Sequence, residues 1–478
     1  MATSKIKTSK LPKENIDPKV LRAAFILVVG SIAPLLDSTM VNVAIKTLTI
    51  DLKSTVSVIQ WVITGYMLAM GLAIPVSGWA VKRFGGKNVY LFSLVVFFAG
   101  SLLSSLSWNI ESLIVFRLLQ GVGAGLLVPT MQTILVQLSG SRSLGRLISV
   151  ISIPSLLAPI IGPVLGGIIV DALSWRWIFY INIPITAISL LLARRGLPSD
   201  KSLGSKQPLD IAGLLLLSPA FALLIYGIAQ VSQYGGLNSS AVIIPLAAGL
   251  GLMAAFVVYA LRTKKEPVLD LRLLKIKNFS ASNIMFFLSG MVMNGALLLL
   301  PLYYQQVWGQ SVLFTGLLLI PQGVGMLITR GWIGRLSDRM GPRMIVMVSL
   351  AVSIAGTLPF AFAGPDANLF LLGAAMLVLG AARNGLFIPV MVSAYVGLNK
   401  DQIPHSSIFI RIFQTIGGAF GAAILATVIG NQTAGSAVHT IQSVAGAYNA
   451  GFWWLIGFCV IAFIPALLLT SHKNVEER

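Results

Sequence analysis

Residues 58–85 read VIQWVITGYMLAMGLAIPVSGWAVKRFG. From Val58 to Val81 the run carries no charge; it then closes on Lys82, Arg83 and Gly85. A hydrocarbon layer roughly 30 Å thick calls for about 20 consecutive apolar residues in a helix, because only a closed helix satisfies its own backbone polar groups there. The stretch is therefore read as a transmembrane helix that leaves the bilayer at a basic end. The same pattern recurs along the chain, at 22–45, 58–81, 88–107, 112–137, 146–170, 176–193, 210–230, 241–261, 280–304, 312–334, 344–363, 368–393, 403–429 and 452–470, about fourteen spans in all.

Composition agrees. Of 478 residues, 56% are hydrophobic and only 10% charged, too few for a water-soluble chain of this length. The expected class is an all-α, polytopic membrane protein whose first partner is the lipid bilayer. A net charge of +19 would suit nucleic acid if it formed one patch. Instead the cations fall in short clusters between apolar runs, so no nucleic-acid partner is expected. The N-terminal tail, Lys82/Arg83/Lys87, Arg142/Arg146, Arg194/Arg195/Lys201/Lys206, Arg262/Lys264/Lys265/Arg272/Lys275/Lys277 and Arg335/Arg339/Arg343 all fall on one side, while 231–240 and 305–311 are nearly free of charge. Positive charge stays inside, which predicts an even number of spans with both termini cytoplasmic. The first apolar run has no small-residue cleavage signal and is read as a retained helix. Short loops suit a bacterial inner membrane, and a monomer is expected to suffice.

Several chemistries are set aside. The single cysteine, Cys459, allows no disulfide framework, and His405, His439 and His472 lie far apart without local ligand partners. No metal site is expected. No GxxxxGK[ST] loop exists, so neither ATP nor any cofactor is expected, and no enzyme.

The basic stretches 194–209 and 262–279 bracket two spans that read as an insertion. The expected organisation is a tail at 1–21, a six-helix bundle at 22–193, a linker with two inserted helices at 194–279, a second bundle at 280–470 and a tail at 471–478. The halves share local patterns. Gly78-Trp79-Ala80-Val81-Lys82-Arg83-Phe84-Gly85 is similar to Gly334-Arg335-Leu336-Ser337-Asp338-Arg339-Met340-Gly341, and Gly162 to Gly166 is similar to Gly418 to Ala422. Such a repeat places a substrate site between the bundles near the midplane and lets them rock for alternating access.

Further motifs carry a resemblance. Leu36-Asp37-Ser38-Thr39-Met40-Val41-Asn42-Val43-Ala44, Gln60-Trp61-Val62-Ile63-Thr64-Gly65-Tyr66-Met67-Leu68, Arg117-Leu118-Leu119-Gln120-Gly121-Val122-Gly123-Ala124-Gly125, Ala158-Pro159-Ile160-Ile161-Gly162-Pro163-Val164-Leu165-Gly166-Gly167 and Trp175-Arg176-Trp177-Ile178-Phe179-Tyr180-Ile181-Asn182-Ile183-Pro184 occur in this order. Together they resemble the major facilitator superfamily in its fourteen-span drug:proton antiporter branch. That resemblance implies two six-helix bundles plus two inserted helices, and multidrug efflux of amphiphilic small molecules in exchange for protons. It implies gating at Gly78, Arg83, Gly85, Asp338, Arg339, Gly162, Pro163, Gly166 and Gly167. The chain departs from the pattern at Lys46, where a proline is usual, and at Ala158, where a glycine is usual. Lys82 stands where the family carries a helix-capping aspartate that locks the outward-facing state; the second copy keeps Asp338.

A charge within the bilayer is costly and so marks function by default. Asp37 is the carboxylate placed deep in a span, and Arg117 falls at similar depth in span four. Burial favours the neutral acid and a nearby guanidinium favours the carboxylate, so a small change in separation or water access decides whether Asp37 holds a proton. The competing reading is a structural staple between helices one and four. Arg383 and Arg411 lie within later spans with no carboxylate in reach by sequence, whereas Arg330 reads as a snorkelling anchor. Two buried cations without acids suggest either backbone-carbonyl partners or an anionic or zwitterionic cargo group. The expected substrate-binding set is Asn42, Trp61, Tyr66, Gln120, Asn294, Tyr303, Arg383 and Arg411, each with helix packing as its alternative. Proton-coupled export of amphiphiles is the leading expectation. An exporter of an anionic metabolite or lipid is its rival, and a non-transporting membrane sensor or scaffold the third.

Overall fold

A computed structural model describes residues 18–41, 43–198, 208–233, 236, 238–263, 267–399, 401–434 and 440–469. Among these there is no strand. The first half comprises α1 (Pro18–Met40), α2 (Ile45–Asp51), α3 (Val56–Phe84), α4 (Gly86–Ser105), α5 (Ile110–Ala172), α6 (Trp177–Tyr180) and α7 (Asn182–Gly196). Then come α8 (Ile211–Gln233) and α9 (Ser240–Arg262). The second half comprises α10 (Lys277–Gln306), α11 (Val312–Leu318), α12 (Ile320–Met340), α13 (Pro342–Ala361), α14 (Leu369–Tyr395), α15 (Ile403–Ala434) and α16 (Ile441–Ala466). Thirteen helices among the described residues are long and apolar enough to cross a membrane.

The ends of these helices are written locally. Thr55, Asn109, Ser239, Ser311, Asn368 and Thr440 each accept a backbone N–H from the first turn they cap, which satisfies donors that the helix itself leaves open. Lys82 and Arg83, Arg194 and Arg195, and Arg262 occupy the last turns of α3, α7 and α9, where a cation also suits the helix dipole.

Several boundaries differ from the sequence reading: the last span, read as 452–470, is the helix Ile441–Ala466, and the span read as 312–334 divides into α11 and α12. The first span closes at Met40 instead of running to 45, and the chain turns into the short α2. Composition gives no stop there, because Val41, Val43 and Ala44 are as apolar as the helix before them. Spans four and five form one continuous 63-residue helix, α5. Straight, it would measure about 95 Å. Yet Arg117 bonds to Asp37 of α1, and a side chain at Gly162 would meet Thr39 two residues further along α1. The two points of α5 therefore lie at one depth, so the chain reverses direction within this helical run and supplies both spans.

α1, α3, α4, α5 and α7 pack as one bundle, and α10 with α12–α16 as another. The repeat is visible in the backbone. Gly85 (φ 84°, ψ 147°) joins α3 to α4, and Gly341 (φ 80°, ψ 155°) joins α12 to α13 in the same left-handed geometry that favours glycine. Gly162 and Gly166 press α5 onto Thr39 and Met40 of α1, just as Gly418 and Gly421 press α15 onto Asn294 and Met291 of α10. Within the second bundle, Gly325 and Gly380 bring α12 and α14 into backbone contact through Leu377 and Gln322. Lipid tails are as apolar as leucine, so close backbone approach supplies much of the helix association. Gly380→Ala would drive its methyl into the Gln322 carbonyl. It should lower stability by roughly 1–3 kcal/mol, seen as a lower melting temperature in detergent, whereas Gly457→Ala, with open space at its Cβ, should be neutral.

α8 and α9 pack on each other, and α8 lies across the seam between the bundles. On one side Trp61 of α3 stacks on Tyr226 at 5.8 Å, and Ser218 donates to the Leu72 carbonyl at 3.0 Å. On the other, Leu224 and Ile228 pack with Ala423 of α15. α9 turns Ile243, Ile244, Leu250, Val258 and Leu261 outward, as a lipid-facing helix must.

Candidate proton-coupling site

Asp37 sits one turn before the end of α1, nearer the helix end than the apolar run suggests, yet it is fully buried. Tertiary packing covers it: Val41, Leu48, Ile59, Val62, Leu113, Trp175, Ile178 and Phe179 close over this end of the bundle. Arg176 adds a tie by donating to the Ser107 carbonyl at 3.0 Å, its guanidinium lying over the Trp175 ring.

Inside this shell Asp37 meets three donors. Its Oδ2 accepts from Arg117 Nη1 at 2.5 Å, and its Oδ1 accepts from Asn182 Nδ2 at 2.9 Å and from Gln120 Nε2 at 3.1 Å. Gln120 Oε1 accepts from Arg117 at 2.7 Å, and Gln120 Nε2 also donates to Ser101 at 2.8 Å. Arg117 Nε donates to the Val62 carbonyl, and its guanidinium lies 4.0 Å from the Tyr66 ring centroid. α1, α3, α4, α5 and α7 thus meet at one ion pair. The carboxylate thus receives three N–H groups, one each from Arg117, Asn182 and Gln120. Asn182 Oδ1 is buried without a partner. Rotating that amide would offer an acceptor to a protonated Asp37, so the site has the groups for both states.

Asp37 and Arg117 are brought together as a pair, and Gln120 and Tyr66 belong to their network. Arg411 of α15 lies within electrostatic reach of Tyr66, which extends the line of polar groups into the second bundle. Trp61 faces the inserted α8. Asn294 donates to Gly290 of its own helix and packs on Gly418. Tyr303 is fully buried, donating to the Gly364 carbonyl at 3.2 Å within a group of rings that includes Tyr304, Phe360, Tyr448 and Phe452. Arg383 has Nε and Nη2 buried with no hydrogen-bond partner. Asn42 and the side chains of Pro163, Asp338 and Arg339 lie outside the described residues.

The bundles also meet at their basic ends. Lys82 Nζ and His405 Nε2 are 2.9 Å apart, both residues buried, and Thr133 donates to Ser407 at 3.2 Å. Gly78 faces Ile408 so closely that an added Cβ would stand 2.7 Å from it. Lys82, which departs from the family pattern, is therefore a cross-bundle contact. At the opposite end Gly316 rests on Val164. Sequence reasoning missed Asn182, Ser101 and His405 as site residues. Asn182 had a signal, being an amide in the apolar run that begins at Trp177; His405 had none beyond its residue type.

Comparison with known proteins settles the family. The profile described as Major Facilitator Superfamily matches residues 27–422 and again 283–478. The chain belongs to the major facilitator superfamily. It is 36% identical over 421 residues to the multidrug resistance protein B homolog of Mycobacterium tuberculosis, covering 88% of this chain and 78% of that protein. It is 32% identical over 409 residues to the multidrug export protein EmrB of Haemophilus influenzae, covering 85% and 79%. Solved superfamily members share the fold at TM-score 0.63. They include the human organic anion transporter MFSD10, 17% identical over 94% of this chain and 100% of that one, and the proton:xylose symporter XylE, 14% identical over 94% and 97%.

Proposed function

We propose that this chain is a proton-coupled antiporter that exports amphiphilic small molecules by alternating access, a multidrug efflux transporter of the cell membrane. The observation that carries the coupling is the Asp37 site: a buried carboxylate with Arg117 as fixed counter-ion and Asn182 able to serve either protonation state. Relatives named as multidrug resistance and export proteins support the export direction. Clustering of the cations in the loops on one side supports a cytoplasmic location for that side and for both termini. Proton is the coupling ion, no other cofactor takes part, and one copy suffices.

Cargo competes with the proton as follows. While Arg117 holds Asp37 ionised, the site is charge-neutral and ready for a proton from outside. Protonation loosens the Arg117 contact and moves the hydrogen bond to Asn182, and cargo arriving from the cytoplasm favours release. The test is proton release from the detergent-solubilised wild-type protein on adding cationic, anionic and neutral amphiphiles. Release on binding is expected. Binding without release would leave uniport or another coupling ion.

A second reading of the cargo has its own observation. Arg383 lies 14 residues into α14, about 21 Å from its start and so near the midplane. Its Nε and Nη2 form one edge of the guanidinium, the edge that meets a carboxylate side-on, and both stand unpartnered. This favours cargo that carries an anionic group. Arg383→Gln should cut the preference for an amphiphilic carboxylate over its own amide by about 10–100-fold. An unchanged preference in binding assays would remove the anionic reading and leave the antiporter.

A further inference from the structure

The inserted helices have a place in the hydrogen bonding of the gate. Asp210, just before α8, accepts at Oδ1 from Gly213 N–H at 2.9 Å and from the Tyr259 hydroxyl of α9 at 2.6 Å. One carboxylate thus ties the start of α8 to the end of α9. Its Oδ2 accepts from the Val268 N–H at 3.1 Å, which fixes the chain that leads from α9 to α10. The Val268 carbonyl faces His405 Nδ1 of α15 at 3.1 Å, and His405 Nε2 faces Lys82 Nζ of α3 at 2.9 Å. An ammonium only donates and a carbonyl only accepts. His405 therefore carries its proton on Nδ1 and receives Lys82 at Nε2. A continuous relay runs Asp210–Val268–His405–Lys82, from the inserted pair through the second bundle into the first.

Packing follows the same line. Val268, Leu269 and Leu273 share one apolar cluster with Ile74 of α3, Phe221 of α8, and Ile408 and Phe409 of α15. Any separation of α3 from α15 at this end must break the Lys82–His405 contact and open this cluster.

We propose that the inserted helix pair braces the cytoplasmic gate: Asp210 holds Val268 so that its carbonyl orients His405 to latch Lys82, and the relay stabilises the cytoplasmic-closed state. Asp210 and His405 are positioning residues in this scheme. It gives Lys82 a latching role in place of the helix-capping acid that the superfamily carries there, and it ties the insertion to the alternation of the two bundles. The scheme rests on that alternation and is independent of proton coupling at Asp37, so the failure of either can be told from the other.

The experiment measures the distance between spin labels at Phe84→Cys, on the exposed end of α3, and Asn399→Cys, on the exposed turn before α15, in full-length protein in nanodiscs. Asp210→Asn keeps an acceptor for the α8 cap and Tyr259 but turns an amide nitrogen toward the Val268 N–H. His405→Ala cuts the latch itself. Ser239→Ala removes the N-cap of α9 at the opposite end and so weakens the inserted pair without touching the relay. Asp210→Asn and His405→Ala should each shift the closed-to-open ratio about tenfold toward open, and the double variant should shift it no further. Ser239→Ala should leave the ratio unchanged. The proposal is overturned if Asp210→Asn leaves the distribution unchanged, if its shift adds to that of His405→Ala, or if Ser239→Ala opens the gate equally. Should Asp210→Asn fail to assemble, Tyr259→Phe, which removes one of the three donors around Asp210, is read by the same criteria.

Discussion

Asp37→Asn will abolish proton-driven export while leaving cargo exchange down its own gradient intact. Asparagine has the shape of aspartate and keeps an acceptor for the Asn182 and Gln120 amides, while Arg117, now facing an amide nitrogen, keeps its bonds to Gln120 and the Val62 carbonyl. It cannot carry a proton between the two sides. Positioned acids and bases contribute factors of roughly 10²–10⁴, and gradient-driven transport should fall by at least about 100-fold. Counterflow in proteoliposomes, which needs only alternation, should remain within a few-fold of wild type. Gradient-driven export at wild-type rates in the variant would move the coupling site away from Asp37. Loss of both activities together would instead show that the ion pair is a staple between α1 and α5.

Arg117→Gln should give the largest loss of stability of any single change at this site. The guanidinium is fully buried, bonded to Asp37, Gln120 and the Val62 carbonyl, and stacked over Tyr66. Removing it leaves a buried carboxylate without its counter-ion, which costs about 3–5 kcal/mol in comparable buried pairs. Cargo-induced proton release, which depends on the counter-ion in the proposed cycle, should vanish even where folded protein is recovered. Adding Asp37→Asn to Arg117→Gln removes the bare charge, and the double variant should melt above Arg117→Gln alone. If the double variant were the sum of the two singles, the residues would not act as a pair. The cycle therefore measures the ion pair directly.

Particular residues show how far the sequence could be read. Asp37 and Arg117 stood out because a charge in an apolar run is expensive, and that expense is visible in one dimension. Their pairing could be anticipated only as a match of depth. Asn182 and Ser101 completed the site from α7 and α4, and both looked like ordinary polar interruptions in apolar helices. Gly85 and Gly341 were legible as repeat markers, and their matching left-handed geometry follows from the tight joint each must make between two helices. Tyr303 and Trp61, read as cavity residues from aromatic character alone, sit in an aromatic cluster and against α8 respectively. Aromatic rings fill helix interfaces as readily as binding pockets, and nothing in their spacing tells the two apart.

Each membrane helix closes its own backbone hydrogen bonds, so its existence depends on nearby residues alone. Length, apolar runs, caps and the distribution of Lys and Arg therefore determined the fold class, the spans and their predicted orientation. Which faces of those helices meet is a different matter, settled by packing between residues far apart in the chain. Asp37 finds Arg117 across 80 positions and Asn182 across 145, while Lys82 finds His405 across 323. Only the tertiary structure could decide that the first two make one buried site and that the third joins the bundles, because no local rule links residues whose helices form independently and then choose their neighbours.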